Sequence, residues 1–230
     1  MRPELVSRSK FLSLVLRHKP EAIGLTLDAN GWASVNSLIA LANAQGICGT
    51  EPFNRDILEE IVNTNEKKRF AFSEDKQMIR AVQGHSLKVD LGLSPEVPPD
   101  VLYHGTSIKF LDAIRSTGLE KKGRQFVHLS LNYETAYKVG SRHGKPVVLV
   151  IDSKKMDEAG YLFYLSENGV WMTDKVPKEF IKNIGNRALD LSIVKEAFAA
   201  LTDEQRAEIT GDYCKSCWKK DPHCQCNNEE

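Results

Sequence analysis

The chain has 230 residues, 41% of them apolar and 27% charged, so it can bury a core and wholesale disorder is excluded. Its 31 basic and 31 acidic side chains cancel, which excludes a general nucleic-acid coater and requires any RNA contact to be made by a local basic site. No run approaches the ~18 uninterrupted apolar residues of a membrane span, and the N-terminus lacks the pattern of a signal peptide.

From the N-terminus, Phe11, Leu12, Val15 and Leu16 recur at helical spacing and predict a first helix from near Pro3 to Arg17. Leu25-Thr26-Leu27 alternates toward an Asn30-Gly31 turn, with Trp32 just beyond. Val35–Ala44 and Asn54–Asn63 read as amphipathic helices, the second with Asn54 as its cap. Two strand-like runs follow, Arg69–Ser73 and Met78–Val82, around a charged turn at Glu74-Asp75-Lys76. Three helices and a β-hairpin are the order of a winged-helix lobe, expected over residues 1–92. Three prolines between Pro95 and Pro99 predict a linker over 93–100.

The pattern then becomes mixed. Val101–His104, Phe126–Ser130 and Val147–Ile151 read as strands, with shorter candidates at Leu162–Leu165 and Val170–Thr173. Ser107–Gly118 and Asn132–Gly140 read as helices. The fold class expected is α+β: an N-terminal winged-helix lobe and a second mixed α/β lobe over residues 101–185, with an extension over 186–230.

Several chemistries are missing from the sequence. There is no GxxxxGK[ST] loop, no GxGxxG between a strand and a helix, no HExxH and no GxSxG. What stands out is Leu16-Arg17-His18-Lys19-Pro20, three potential cations at a helix C-terminus stopped by proline. Compensation of the helix dipole and an anion pocket both account for it. The five cysteines stay reduced in the cytosol, the compartment expected here. Four of them form Cys214-x-x-Cys217 and Cys224-x-Cys226, with His223 as a spare ligand. A small structural zinc site and an unligated cysteine-rich tail remain equal alternatives.

Read in order, Ser9–His18, Lys68-Arg69-Phe70, Ile79–Ser86 with its Gly84-His85-Ser86, Tyr103-His104-Gly105-Thr106, Arg124–Ser130 and Glu167–Trp171 together resemble the NAD-dependent RNA (tRNA) 2′-phosphotransferase family. The resemblance spans roughly residues 7 to 182. It implies a winged-helix lobe that binds RNA phosphate and an ADP-ribosyltransferase-like lobe that binds NAD. The reaction it implies moves an internal 2′-phosphate of RNA onto NAD. The products are 2′-hydroxyl RNA, nicotinamide and ADP-ribose 1″,2″-cyclic phosphate, the chemistry of a tRNA splicing junction.

By the same resemblance, Arg17, His18, Arg69 and Arg124 are the catalytic set, and His104, Gly105, Thr106, His128 and Ser130 contact NAD. Lys68, Arg80, His85 and Ser86 are further candidates for the RNA side. NAD is expected as co-substrate. The partner is RNA bearing an internal 2′-phosphate, tRNA foremost, with no membrane and a monomer favoured. Two alternatives stay open: an ADP-ribosyltransferase that caps phosphorylated nucleic-acid ends, and a non-catalytic winged-helix binding protein.

Overall fold

The computed structural model describes residues 3–46 and 52–182. In chain order the elements are α1 (Pro3–Arg17), β1 (Ala33–Ser34), α2 (Val35–Ala44), α3 (Arg55–Thr64), β2 (Phe70–Phe72) and β3 (Met78–Ala81). Next come β4 (Leu102–Ser107), α4 (Leu111–Thr117), β5 (Leu119–Glu120), β6 (Val127–Leu129), α5 (Tyr133–Gly140) and β7 (Pro146–Ile151). The series closes with α6 (Ser153–Glu158), β8 (Phe163–Leu165), β9 (Trp171–Thr173) and β10 (Lys175–Val176). The class is α+β, with small sheets in which β1–β3, β2–β3, β5–β10, β4–β7 and β8–β9 pair antiparallel.

The chain divides into two compact units that interleave along the sequence. The first takes the described residues up to Pro98, Leu119–His128 and Asp157–Val176; the second takes Pro99–Gly118, Leu129–Met156 and the described residues from Pro177.

In the first unit, one apolar core is built by the helical spacing of α1, α2 and α3. Leu12, Val15 and Leu16 meet Leu38, Leu58, Ile61 and Ile79, all fully buried. Phe11 packs on Phe53 with ring centroids 6.3 Å apart. Asn54 caps α3 by accepting from Ile57 N–H at 2.9 Å, and Ser34 caps α2 by accepting from Ser37 N–H at 3.3 Å. The hairpin β2–β3 pairs Phe70 with Ala81 and Phe72 with Ile79, and β3 also pairs with β1. The hairpin turn is knitted by Ser73 and Asp75, whose side chains accept from Met78 N–H and Gln77 N–H. The proline-rich stretch runs extended, and Glu96 N–H donates to Phe163 C=O at 2.9 Å.

In the second unit, β4 and β7 pair over six residues, from Leu102↔Ile151 to Ser107↔Pro146. The strand expected to stop at His104 therefore continues to Ser107. The helix expected from Ser107 begins as a 3-10 turn, Ile108–Phe110, and is α-helical from Leu111. Helix α6 and the two-residue strands β5 and β10 have no counterpart in the sequence pattern.

Candidate active site

In the first unit, α1 ends at Arg17, and His18 N–H and Lys19 N–H both donate to Leu14 C=O at 2.9 Å. Pro20 cannot extend the helix. The Arg17 side chain is 7% exposed, and it lies beside Gly84. A Cβ built on Gly84 would fall 3.6 Å from Arg17 Nη1, and Gly84 takes φ +88°, which only glycine adopts readily. The Arg17 carbonyl accepts from Ser86 N–H at 3.0 Å and from Ser86 Oγ–H at 3.3 Å. Ser86 Oγ is also 3.0 Å from His18 Nδ1. With the hydroxyl proton given to the Arg17 carbonyl, Oγ accepts from Nδ1–H, and a neutral His18 keeps Nε2 for a ligand.

Arg69 follows α3 by a short loop. Asn65, 3% exposed, accepts from Arg69 Nη1–H at 3.2 Å and from Lys67 N–H at 3.1 Å through one carbonyl oxygen. Lys68 is exposed and held at φ +41°, the left-handed region that non-glycine residues seldom occupy. Asn168 Nδ2–H donates to Lys67 C=O at 2.8 Å, and Arg17 Nη2–H reaches Arg69 C=O at 3.5 Å. Arg124 is exposed. Its neighbour Gln125 donates from its backbone to His85 C=O at 3.1 Å and from its side chain to Val89 C=O at 3.1 Å.

Two of the guanidiniums act on the third, Arg17. Burial, then Arg69, then Arg124 push Arg17 down to about 10, still cationic at neutral pH. Burial, followed by Arg17 and Arg124, holds His18 below its ordinary value, and desolvation lowers Arg124 although much of its surface faces water. So the structure brings Arg17, His18, Arg69 and Arg124 together around the end of one helix. Such an arrangement suits a multiply charged anion: fixed, planar donors with like-charge repulsion that an anion relieves.

His85 lies behind this surface. It is 1% exposed, and neither ring nitrogen has a hydrogen-bond partner. Burial, then Arg17, His18 and Arg80, push it down to about 4. With Gly84, Gln125, Phe126, His128 and Met172 it lines a shallow recess. Arg80 is engaged internally: its guanidinium lies 4.5 Å over the Trp32 ring and pairs with Glu167. Sequence reasoning missed Asn65, the pairing of Glu167 with Arg80 and the stacking of Trp32. An asparagine just past a helix end is an ordinary cap or turn residue, and only the folded chain gives it a further contact.

In the second unit, His104, Gly105 and Thr106 sit on β4 opposite Leu149, Val148 and Val147. Tyr103 exchanges two backbone hydrogen bonds with Ser130, at 2.9 and 2.7 Å, which sets Ser130 one position from His104. His104 and Ser130 are half-buried, and Thr106 is buried. The close approach that Gly105 allows is to α5. A Cβ there would fall 1.6 Å from the Ala136 carbonyl oxygen and 2.8 Å from Gly140 N. Gly140 repays the contact, its own built Cβ lying 2.6 Å from Thr106 C=O. Tyr103 meets Tyr133 edge to face at 6.2 Å, and burial together with Tyr103 pushes the Tyr133 phenol up to about 12.

A family model described as "RNA 2'-phosphotransferase, Tpt1 / KptA family" matches residues 3–175. The chain belongs to this RNA 2′-phosphotransferase family. Among similar curated proteins, each called "Probable RNA 2'-phosphotransferase", one from Hahella chejuensis is 57% identical over 181 residues, covering 79% of this chain and 95% of that protein. One from Acaryochloris marina is 54% identical over 184 residues, covering 80% of this chain and 99% of its own. A third, from Flavobacterium johnsoniae, is 53% identical over 176 residues, covering 76% and 94%.

Arg17 through Ser130, every candidate named above for the RNA and NAD sides, falls inside the span that the RNA 2′-phosphotransferase model covers. Cys214, Cys217, Cys224 and Cys226 lie beyond that span and outside the described residues. Among the described residues, no group of three or more His, Cys, Asp and Glu is placed to hold a metal ion, and no helix is long and apolar enough to cross a membrane.

Proposed function

We propose that the chain removes an internal 2′-phosphate from RNA, with NAD as co-substrate, and that tRNA of the splice-junction type is its RNA. The observation that carries this reading is the convergence of Arg17, Arg69 and Arg124 with His18 at the end of α1, where Arg69 and Arg124 depress Arg17, and Arg17 and Arg124 depress His18. A 2′-phosphate dianion relieves that repulsion and accepts bidentate hydrogen bonds from fixed guanidiniums. It also reverses the local potential at His18, so the imidazole gains a proton when substrate binds and becomes a donor to phosphate oxygen. Lys68 and Ser86, both exposed, add contacts on the RNA side. Arg80 and the buried His85 act from behind, Arg80 by holding Trp32 and Glu167.

NAD, when bound, supplies an electrophilic ribose C1″ with nicotinamide as its leaving group, and a 2″-hydroxyl. We assign His104, Gly105, Thr106, His128 and Ser130 to the NAD side: His104 and Ser130, an imidazole and a hydroxyl beside a buried strand, suit the hydroxyls of such a ligand, and Gly105, closed against Ala136, seats the strand that carries His104 and Thr106. The guanidiniums aim the phosphate for the first step and stabilise its trigonal-bipyramidal charge in the second. The products are then 2′-hydroxyl RNA, nicotinamide and ADP-ribose 1″,2″-cyclic phosphate.

We read residues 1–92 as a winged-helix lobe that binds RNA phosphate. The order α1-β1-α2-α3-β2-β3 and the sheet order β1-β3-β2 support that reading. Residues 93–100 serve as linker, 101–185 as an ADP-ribosyltransferase-like lobe and 186–230 as an extension whose four cysteines are candidate zinc ligands. The reaction belongs in the cytoplasm, where thiols stay reduced.

The test is incubation with NAD and a short RNA carrying one internal 2′-phosphate, with mass analysis of both products. Dephosphorylated RNA and the cyclic phosphate, formed only with NAD, are expected. An accumulating ADP-ribose–RNA adduct, or no reaction by folded protein, would refute the proposal.

A further inference from the structure

We propose that Asn65 is a positioning residue that aims the Arg69 guanidinium and couples it to the helix carrying Arg17 and His18. The proposal rests on the reading of Arg17, His18, Arg69 and Arg124 as the phosphate grip.

Asn65 stands directly after α3 and is almost wholly buried. Its Oδ1 accepts twice, from Arg69 Nη1–H at 3.2 Å and from Lys67 N–H at 3.1 Å. Its Nδ2–H donates to Ser9 Oγ at 3.2 Å, in the middle of α1. Its backbone carbonyl accepts from Lys68 N–H at 2.8 Å, which closes the turn that holds Lys68 at φ +41°. The main chain of Arg69 is fixed as well, since its carbonyl accepts from Val82 N–H at 3.0 Å and Arg17 Nη2–H at 3.5 Å. One amide therefore sets the loop, the guanidinium and the spacing to α1.

The chemistry at position 65 is demanding. The side chain must accept toward Arg69 and donate toward Ser9 at the same time, from a site sealed from water. Serine is too short to reach both partners. Aspartate keeps the acceptor but loses the donor, and it sets a fixed negative charge against a guanidinium meant for phosphate. Alanine removes the shared acceptor of two part-buried hydrogen bonds at once. A neutral amide meets every requirement and adds no competing charge.

The experiment uses the full chain, NAD and RNA with one internal 2′-phosphate. It compares kcat/KM and Tm for the wild type, Asn65→Asp, Ser9→Ala, Arg69→Ala, and the doubles Asn65→Asp/Arg69→Ala and Ser9→Ala/Arg69→Ala. A misaimed guanidinium lowers kcat/KM by about a hundredfold in Asn65→Asp. Loss of the Ser9 acceptor lowers it roughly fivefold. Neither change lowers activity further once Arg69 is alanine, because nothing remains to be aimed. Should Asn65→Asp fail to give a cooperative melt, Ser9→Ala carries the test by the same criterion.

Losses that multiply in full in the Arg69→Ala background, or wild-type activity in Asn65→Asp, overturn the role of Asn65 and leave the phosphate grip standing. Wild-type activity in Arg69→Ala overturns both.

Discussion

Arg17 joins a helix terminus, a buried guanidinium and a carbonyl that organises Ser86, so its backbone and side chain serve the same few ångströms. If the cations grip phosphate as a unit, single removals cost rate and leave the fold intact. Arg69→Ala and Arg124→Ala are each expected to lower turnover by about 10²–10³-fold with Tm unchanged; undiminished turnover in either removes that residue from the set. His85 gives a different expectation. Its folded value of about 4 lies below the ordinary 6.5, so the unfolded chain takes up the proton first as pH falls. Stability is fully present above pH 6.5 and is lost toward pH 4, by about 3 kcal/mol in all. Urea titrations at pH 7 and 4.5 should resolve this difference, and it should shrink in His85→Leu. The Arg-His pair and the two later arginines were singled out through the family's motif series, and their electrostatic coupling at the end of α1 became visible only in the fold. Asn65 was not, because its meaning lies in contacts with Ser9 and Arg69 that join distant parts of the chain.

Helices with an apolar stripe and a capping residue were read from the sequence almost to the residue. Val35–Ala44 matches its expected span, and Asn54 caps α3 as anticipated. Replacing Asn54 by alanine should cost about 1 kcal/mol, measurable by denaturant unfolding at constant m-value; no change would mean that packing alone starts α3. Strands β5 and β10 escaped because two residues carry no periodicity and their partners lie some fifty positions apart. Helix α6 escaped because Ser153-Lys154-Lys155-Met156-Asp157-Glu158 buries only Ser153 and Met156. The His-Gly-Thr run was legible as a motif, but the reason for its glycine was not. Gly105→Ala drives a methyl group into the Ala136 carbonyl, and since backbone cannot swing aside as a flexible side chain can, a loss of about 3 kcal/mol or more is expected. A Tm within a few degrees of wild type would show that α5 can slide on β4.

Over the whole molecule, equal numbers of basic and acidic groups leave RNA attraction to a handful of local cations. If three or four phosphates are neutralised, log kcat/KM for RNA should fall with log salt at a slope of about −2 to −3. A slope near −6 would point to a much wider basic contact surface. Composition was enough to anticipate a folded protein, and the order of the periodic elements to anticipate the α+β class. Neither could reveal that the two compact units are threaded through each other in sequence, because periodicity is local and such threading is set by pairings such as Leu119↔Val176. That threading imposes an order on biosynthesis. The helix bearing Arg17 and the loop bearing Arg69 leave the ribosome early, but their unit lacks its closing strand until Val176 has been made. At typical translation speeds the delay after Pro98 is roughly ten seconds. Arg124 is made within that interval, before the closing strand, so the nascent chain carries every cation of the grip before the unit that holds them can close.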